Sequence, residues 1–251
     1  MNGTAQLSTV ERALEVLKLL WDLNGAGPTE VAERLDAPKG TVHGYLRTLA
    51  KAGYVVNEGG TYRVSYRFLT MGGRIKHRSR LFHVAKPEVE RLAEETGEIV
   101  DVSVEENGHS VTLHHVMGDQ SLRLGLYPGM TTPIHAHAAG KAVLAYLPAE
   151  RRAEILGGEL EAMTEETITD PEALRQELAT VRDQKYAYDW DQQVTGMGVV
   201  AAPILVDGDI LGSIAIIAPT DRLQNGSYRE GLIRHVREAS NTVEVGYQYS
   251  N

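Results

Sequence analysis

The first 66 residues contain three short amphipathic segments followed by two β-rich runs, and this order constrains the fold more than any other feature of the chain. In the first segment, apolar residues recur at helical spacing from Val10 to Trp21. Ser8 and Glu11 stand at its start with the spacing of a capping box. Pro28 opens the second segment, so both segments are predicted to be helices.

The third segment follows a turn at residues 36–38, and Gly53 ends it. The β-rich runs 54–57 and 61–64 then flank a Gly-Gly pair, which predicts a hairpin. Three short helices with a tight turn between the second and the third, followed by a hairpin, are the arrangement of a winged helix-turn-helix.

In that motif the helix after the turn enters the major groove of DNA. With Val42, Leu46 and Leu49 on its buried face, the other face offers donors to bases or phosphates and two glycines that allow close approach of the backbone. These outward positions, our predicted DNA contacts, are Lys39, Gly40, Thr41, His43, Gly44, Tyr45 and Arg47. A three-helix bundle that binds nothing is the alternative, since periodicity alone fits both.

Charge divides the chain into a basic and an acidic part. Residues 1–83 contain twelve Lys and Arg against seven Asp and Glu, whereas residues 84–251 contain thirteen against twenty-seven. This asymmetry indicates that the first part binds a polyanion, because cations placed on phosphates release counterions. Chance clustering of charge is the alternative.

Composition excludes several classes of protein. The chain has no cysteine, which excludes a disulfide scaffold, Cys-ligated zinc, iron–sulfur clusters and thiol catalysis. No run approaches the roughly 18 apolar residues of a membrane span, and residues 1–6 lack the basic and apolar regions of a signal peptide. We therefore expect a cytoplasmic protein that does not bind a membrane.

The rest of the chain alternates hairpins with helices. Asn107-Gly108 and Asp207-Gly208 each separate two β-rich runs. The predicted strands are residues 99–105, 110–116, 121–126, 199–206 and 210–217; the predicted helices are one from Pro87 to Gly97 and residues 137–147, 150–157, 171–185 and 228–247. Antiparallel hairpins covered by helices make an α+β domain. Because the chain has no GxGxxG motif and no P-loop, we predict no nucleotide cofactor.

Five of the nine histidines lie within 29 positions: His109, His114, His115, His135 and His137. If strands and loop converge, they could form a zinc site, so a zinc-dependent enzyme with a DNA-binding appendage is one alternative. Against it, this part of the chain has no HExxH motif, no carboxylate pair on one helix and no GxSxG elbow. We predict no metal, no catalytic residue and no enzyme activity.

Seven motifs are distributed along nearly the whole chain, at residues 8–14, 38–43, 46–54, 62–64, 133–145, 199–203 and 212–216. In sequence, order and spacing they resemble those of the IclR family of transcriptional regulators. The resemblance implies a winged helix-turn-helix domain (1–66) with Arg63 as a further DNA contact, a linker helix (67–84), and a GAF-like domain (85–251) for effector binding and oligomerisation. It also implies dimers that pair into a dimer of dimers. Gly40 and Gly44 depart from the family pattern, because many members carry Ser and Arg there.

The linker segment contains five cations that either contact phosphate or form a solvated face: Arg67, Arg74, Lys76, Arg78 and Arg80. Gly72 and Gly73 lie among them and predict a hinge or a helix start. Each Gly weakens a continuous helix by roughly 1 kcal/mol relative to Ala.

A helix that begins near Ala138 offers a binding site in the second domain. Free N–H groups at Ala138, Ala139 and Gly140 favour a carboxylate, while Lys141 is predicted to face solvent. The resemblance supplies the remaining predicted effector contacts, Asp189, Val199, Ala215 and Ile217. Members that bind small keto- or hydroxy-acids carry Cys or Ser at the last three positions. Apolar residues there predict an effector that is larger or less polar than such acids.

Together these patterns predict a sequence-specific regulator that binds double-stranded operator DNA as a dimer. Its operator affinity is expected to respond to a small organic effector, a relatively apolar carboxylate. One alternative is a second domain with an empty pocket that serves only assembly. Another is an architectural DNA protein that binds random and specific duplexes alike.

Overall fold

The computed structural model describes residues 7–249. Contacts divide the chain into two compact units, Met1–Ile75 and Lys76–Asn251. The division falls inside the predicted linker segment.

The first unit is a winged helix-turn-helix, as predicted. Its elements are α1 (Ser8–Asp22), α2 (Pro28–Arg34), α3 (Lys39–Lys51), β1 (Val55–Glu58) and β2 (Thr61–Val64). The two strands form an antiparallel hairpin, the wing. One apolar core joins all three helices to the wing and includes Leu20, Val31, Leu46 and Val55. Two 2.9 Å backbone hydrogen bonds between Ala26 and Tyr62 connect the loop before α2 to the wing.

The predicted capping box of α1 is wrong. Leu7 is the residue before the first helical turn, and no side chain of residues 7–249 caps the helix there. Because the helix begins one residue earlier than predicted, Ser8 lies inside the first turn and has lost the cap position.

Two further predictions about helix starts are wrong. Helix α4 (Arg67–Arg78) continues through Gly72 and Gly73 without a hinge. Helix α5 (Arg80–Thr96) begins after Ser79, whose hydroxyl accepts from the N–H of Phe82, and it contains Pro87 in its interior. Tertiary packing explains the continuation of α5, because residues on both sides of the proline are buried in one core.

The second unit is an antiparallel sheet with helices on both faces. Its strands are β3 (Ile99–Glu106), β4 (His109–Met117), β5 (Thr131–Pro133), β6 (Ala187–Trp190), β7 (Met197–Val206) and β8 (Asp209–Pro219), in the order β5-β4-β3-β8-β7-β6. Its remaining helices are α6 (Ala138–Leu144), α7 (Ala149–Leu156), α8 (Pro171–Gln184), α9 (Thr220–Leu223) and α10 (Gly226–Tyr249).

Alternation along the central strands divides the unit into two apolar cores. In β7, Val199 packs with α6 and α8, while Val200 packs with α5 and α10. In β8, Ala215 and Ile217 share the first of these cores and Ile216 lies in the second. This period of two places Val199, Ala215 and Ile217 on one face of the sheet and confirms the predicted α+β class.

The predicted strand at 121–126 is wrong. Residues 118–130 contain no helix or strand, and the edge strand β5 follows them instead. Leu122, Leu124 and Leu126 pack half-buried against the core without pairing. Strand β6 was not predicted. Within residues 7–249, no helix is both long and apolar enough to cross a membrane.

Candidate functional site

Helix α3 has three faces with different surroundings. Val42 and Leu46 are fully buried, and Leu49 lies half-buried beside them in the core of the first unit. Lys39, His43 and Arg47 follow one another at helical spacing on a second face and are exposed to solvent. This exposed face is the one that the sequence predicted for DNA.

Two positions on the exposed face of α3, Gly40 and Gly44, have no side chain. A Cβ atom added to Gly40 or to Gly44 would meet no atom within 4 Å. Neither glycine is therefore required by packing inside the subunit. The cationic side chains border a stretch of bare backbone, where a duplex can approach closely.

The third face of α3 lines an apolar groove. Thr41 and Tyr45 border it together with Val10 and Leu14 of α1, and Gly44 lies where the groove meets the exposed face. The volume of the groove is about 640 Å³. Tyr45, predicted to face outward, is half-buried against the core. Its position therefore differs from those of Lys39 and Arg47, whose side chains are exposed.

Arg63, the predicted contact on the wing, already has partners inside the subunit. Its guanidinium donates to the carboxylate of Glu58 and lies 5.5 Å from the ring centroid of Tyr66. The hydrogen bond lowers the pKa of Glu58 and raises that of Arg63. A phosphate would have to share Arg63 with Glu58.

In the second unit, the start of α6 is occupied by a carboxylate from the chain itself. The N–H of Ala138 donates to Oδ2 of Asp189 at 2.5 Å, and Asp189 is buried. Burial raises the pKa of Asp189 to about 6, against the opposing effects of Lys141 and backbone hydrogen bonds. Gly140 also has an internal role, because a Cβ there would lie 2.0 Å from the carbonyl oxygen of Ile134.

The prediction that Lys141 faces solvent is wrong. Lys141 is fully buried, and its Nζ donates to Oε1 of Glu177 at 3.2 Å and to Oε1 of Gln192 at 3.0 Å. All seven residues of α6 are buried, so this helix has no solvent face on which a lysine could lie. The ion pair and the amide satisfy a charge that would otherwise be costly in the interior.

Three of the predicted effector residues line one small enclosed cavity of about 20 Å³: Ala139, Val199 and Ile217. Leu126 and Met130 of the segment 118–130 complete its apolar lining. The other four predicted residues, Ala138, Gly140, Asp189 and Ala215, are buried nearby but outside this lining.

Sequence reasoning missed the polar lining of this cavity: Asp101, Ser110, Thr112, Thr132, His137 and Gln193. A signal for Asp101 was present, because it is the one charged residue within the apolar run 99–104. The hydroxyl residues gave no such signal, since Ser and Thr are ordinary in strands with one polar face.

The five clustered histidines do not converge. Nε2 of His135 lies 3.0 Å from the carbonyl oxygen of Glu161, and Nδ1 of His114 lies 3.1 Å from Nζ of Lys76. His109 is exposed, while His137 lines the cavity. Among residues 7–249, no group of three or more His, Cys, Asp or Glu residues could hold a metal ion.

Comparison with known proteins identifies the family. Residues 74–245 match the description "Bacterial transcriptional regulator IclR C-terminal", and residues 9–59 match "IclR helix-turn-helix domain". The chain is 34% identical over 247 residues to the "Probable HTH-type transcriptional regulator ArcR" of Halobacterium salinarum, covering 96% of this chain and 94% of that protein. It is 31% identical over 241 residues to the HTH-type transcriptional regulator BhcR of Paracoccus denitrificans, covering 93% and 86% of the two chains.

Solved structures show the same fold. An IclR homologue from Microbacterium hydrocarbonoxydans, crystallised in complex with 4-hydroxybenzoate, superposes with a TM-score of 0.80 at 25% identity. The match covers 98% of this chain and all of that one. The chain therefore belongs to the IclR family of DNA-binding transcriptional regulators and is not an enzyme.

Proposed function

We propose that this protein is a ligand-responsive regulator that acts in the cytoplasm, with α3 as the element that contacts operator bases. The observation that supports this proposal is the exposed face of α3. There Lys39, His43 and Arg47 are exposed to solvent beside two glycines with open space around them. Lys and Arg donate to guanine acceptors or to phosphates, which fits the major groove.

A dimer is proposed because the first unit exposes large apolar side chains on α1 and α4. Leu14 is 61% exposed, Leu69 71% and Ile75 71%, and α4 has no buried residue. Leu14 also borders one apolar groove together with Phe68 of α4, and a grouped apolar surface of this kind is typical of a protein interface. A symmetric dimer would present two copies of α3 to an inverted repeat. Pairing into a dimer of dimers stays a prediction.

The proposed effector site is the cavity beside Ala139, Val199 and Ile217. The relative with bound 4-hydroxybenzoate supports small-molecule binding by a protein of this fold. An effector would shift operator affinity only by its differential affinity for two arrangements of the protein. The expected carboxylate site at the start of α6 is not part of this proposal, because Asp189 occupies it.

The small cavity volume favours a second candidate, a second unit that serves only assembly. A thermal-shift screen with small organic compounds separates the two candidates. Stabilisation by any compound that also changes DNA affinity supports effector binding. No stabilisation by any compound supports assembly alone.

The DNA-binding proposal is tested by genome-wide footprinting of the tagged protein, with recovered sites measured at two salt concentrations. A few strong sites that share an inverted repeat are expected, with affinity that falls as salt rises. Diffuse binding without a shared motif would contradict sequence-specific regulation and indicate an architectural protein.

A further inference from the structure

The effector cavity has a polar lining that points to a particular class of ligand. Strands β3, β4 and β5 supply Asp101, Ser110, Thr112 and Thr132, and His137 comes from the start of α6. Hydroxyl groups both donate and accept hydrogen bonds, whereas an ionised carboxylate only accepts. The charge of Asp101 therefore determines which charge a bound ligand can carry.

Two polar atoms at this cavity lack a partner among the described residues. They are Oδ1 of Asp101 and Nε2 of His137, on side chains that are more than nine-tenths buried. The other carboxylate oxygen of Asp101 accepts from the hydroxyl of Ser103 at 2.8 Å. Buried polar atoms are almost always hydrogen-bonded, so two unpaired atoms at one cavity indicate a missing partner there.

Among residues 7–249, no lysine or arginine lines the cavity. Burial raises the pKa of Asp101 to about 7, so a substantial fraction is ionised at neutral pH. Burial and the nearby Lys141 lower the pKa of His137 to about 3, so its imidazole is neutral. Lys141 itself is held by Glu177 and Gln192 and does not line the cavity. The net charge of the lining is therefore zero or negative.

We propose that the cavity binds a small compound through a hydrogen-bond donor that carries no negative charge, with Oδ1 of Asp101 as the acceptor. The donor is either a hydroxyl group of a polyol or the ammonium group of an amine. This inference rests on the proposed function, since it names the chemical class of the effector. While Asp101 is ionised, a carboxylate effector is disfavoured, because it would bury a second negative charge beside Asp101 without a cation.

Binding requires the cavity to enlarge. Its volume of about 20 Å³ holds little more than one water molecule. Leu126 and Met130 line it from the segment 118–130, which has no regular secondary structure. Met130 is held to β4, because its carbonyl oxygen accepts from the N–H of Thr112 at 2.9 Å. Movement of residues 122–126, and of Leu126 with them, makes room for a ligand and is the conformational change that the proposal requires.

The experiment uses the full chain in a thermal-shift assay followed by calorimetry. Glycerol, ribitol and putrescine represent the donors, and pyruvate and 4-hydroxybenzoate represent the acids, each at about 10 mM, which is ten times a weak Kd of about 1 mM. We expect a donor compound to raise the melting temperature and the acids to leave it unchanged. Whether polyols or putrescine bind distinguishes the two donors.

Substitutions in the cavity lining test whether a compound binds there. Asp101→Asn should weaken a bound donor compound about tenfold or more, because it removes a charged acceptor. Thr112→Val keeps the side-chain shape, removes one hydroxyl, and should weaken a bound polyol. Asp209→Asn, at an exposed position on β8, is the matched control. It should change the affinity neither for a polyol nor for an amine.

Three results would overturn the inference: stabilisation by an acid and not by a donor, no stabilisation by any compound, or donor binding that Asp101→Asn leaves unchanged. DNA binding measured on the same samples keeps this test separate from the proposed function. Specific DNA binding without donor binding rejects the ligand class alone. Absence of specific DNA binding by the protein without any added compound rejects the regulator, whatever the cavity binds.

Discussion

The N–H of Ala138 donates a 2.5 Å hydrogen bond to Oδ2 of Asp189, a residue 51 positions further along the chain. The first turn of α6 is thus capped by strand β6 and not by a residue next to it in sequence. A carboxylate at a helix N-terminus is favourable, because it pairs with free N–H groups and with the helix dipole. The contact connects the helix that borders the effector cavity to the edge of the sheet.

Asp189→Ala should therefore destabilise the folded protein by about 2–3 kcal/mol, since it leaves a buried donor unpaired. The free energy of unfolding from urea denaturation measures this. Asp170→Ala, which removes an exposed cap at the start of α8 (2.7 Å to the N–H of Ala173), is the comparison and should cost only about 1 kcal/mol. An equal loss in the two variants would contradict a special role for the buried cap.

Stability should depend on pH through Asp101. Its folded pKa of about 7 lies above the ordinary value of 3.8, so the folded state holds its proton more tightly than the unfolded state. This stabilisation is complete below about pH 4 and is lost as the pH rises to about 7. Relative to Asp101→Asn, the wild type should lose on the order of a few kcal/mol between pH 4 and pH 8.

Urea denaturation of both proteins across this pH range measures the difference. His137, with a pKa lowered to about 3, has the opposite dependence, and Asp189 the same one. Both are present in the wild type and in the variant, so their effects cancel. A difference that does not change with pH would show that Asp101 is ionised in both states.

Arg47→Ala should lower operator affinity about tenfold or more, because one arginine contact to a base is worth about 1–3 kcal/mol. Titration of the operator at two salt concentrations identifies the kind of contact. A lost phosphate contact reduces the salt slope by about one, whereas a lost base contact relaxes sequence preference. Arg175→Ala, an exposed arginine on α8, should bind normally; an equal loss there would indicate a general charge effect.

Gly44→Ala should stabilise the protein by about 0.5–1 kcal/mol and weaken DNA binding. Alanine favours the helix, and a Cβ at this position lies more than 4 Å from every neighbouring atom of residues 7–249. The same methyl group would separate α3 from a duplex that approaches its backbone. Gly231→Ala in α10, where an added Cβ also has no neighbour within 4 Å, should stabilise the protein without changing DNA binding. Unchanged DNA binding by Gly44→Ala would mean that this backbone stays away from the duplex.

Replacement of Leu14 by Glu should weaken self-association, because the side chain is 61% exposed in a single subunit and apolar. Sedimentation at several concentrations measures the dimer, and operator affinity should fall with it. Lys18→Glu, an exposed substitution on the same helix, tests for an effect of charge alone. A Leu14→Glu protein that remains dimeric would exclude this face of α1 from the interface.

Local patterns in the sequence were enough to establish the helices of the first unit, the hairpins and the α+β class. These features depend on residues that are close in the chain. Ala215 and Ile217 share a face of β8 because they are two residues apart. Val199 was predicted beside them only from the family resemblance, since its place opposite Ile217 depends on the register of β7 and β8. Helix ends were less predictable. Helix α1 begins one residue earlier than predicted, at Ser8, and α5 begins before Pro87 because residues on both sides of the proline are buried in one core.

Long-range contacts decided the chemistry of the cavity. Asp101 pairs with Ala215 in the register of β3 and β8, more than a hundred residues apart, and no local pattern specifies that neighbour. The same holds for Lys141, which is buried because its whole helix lies in the interior, and for Asp189, which caps that helix from another element. Periodicity shows which face of an element is buried, but the burial of a charge and its partner arise only when distant elements pack together.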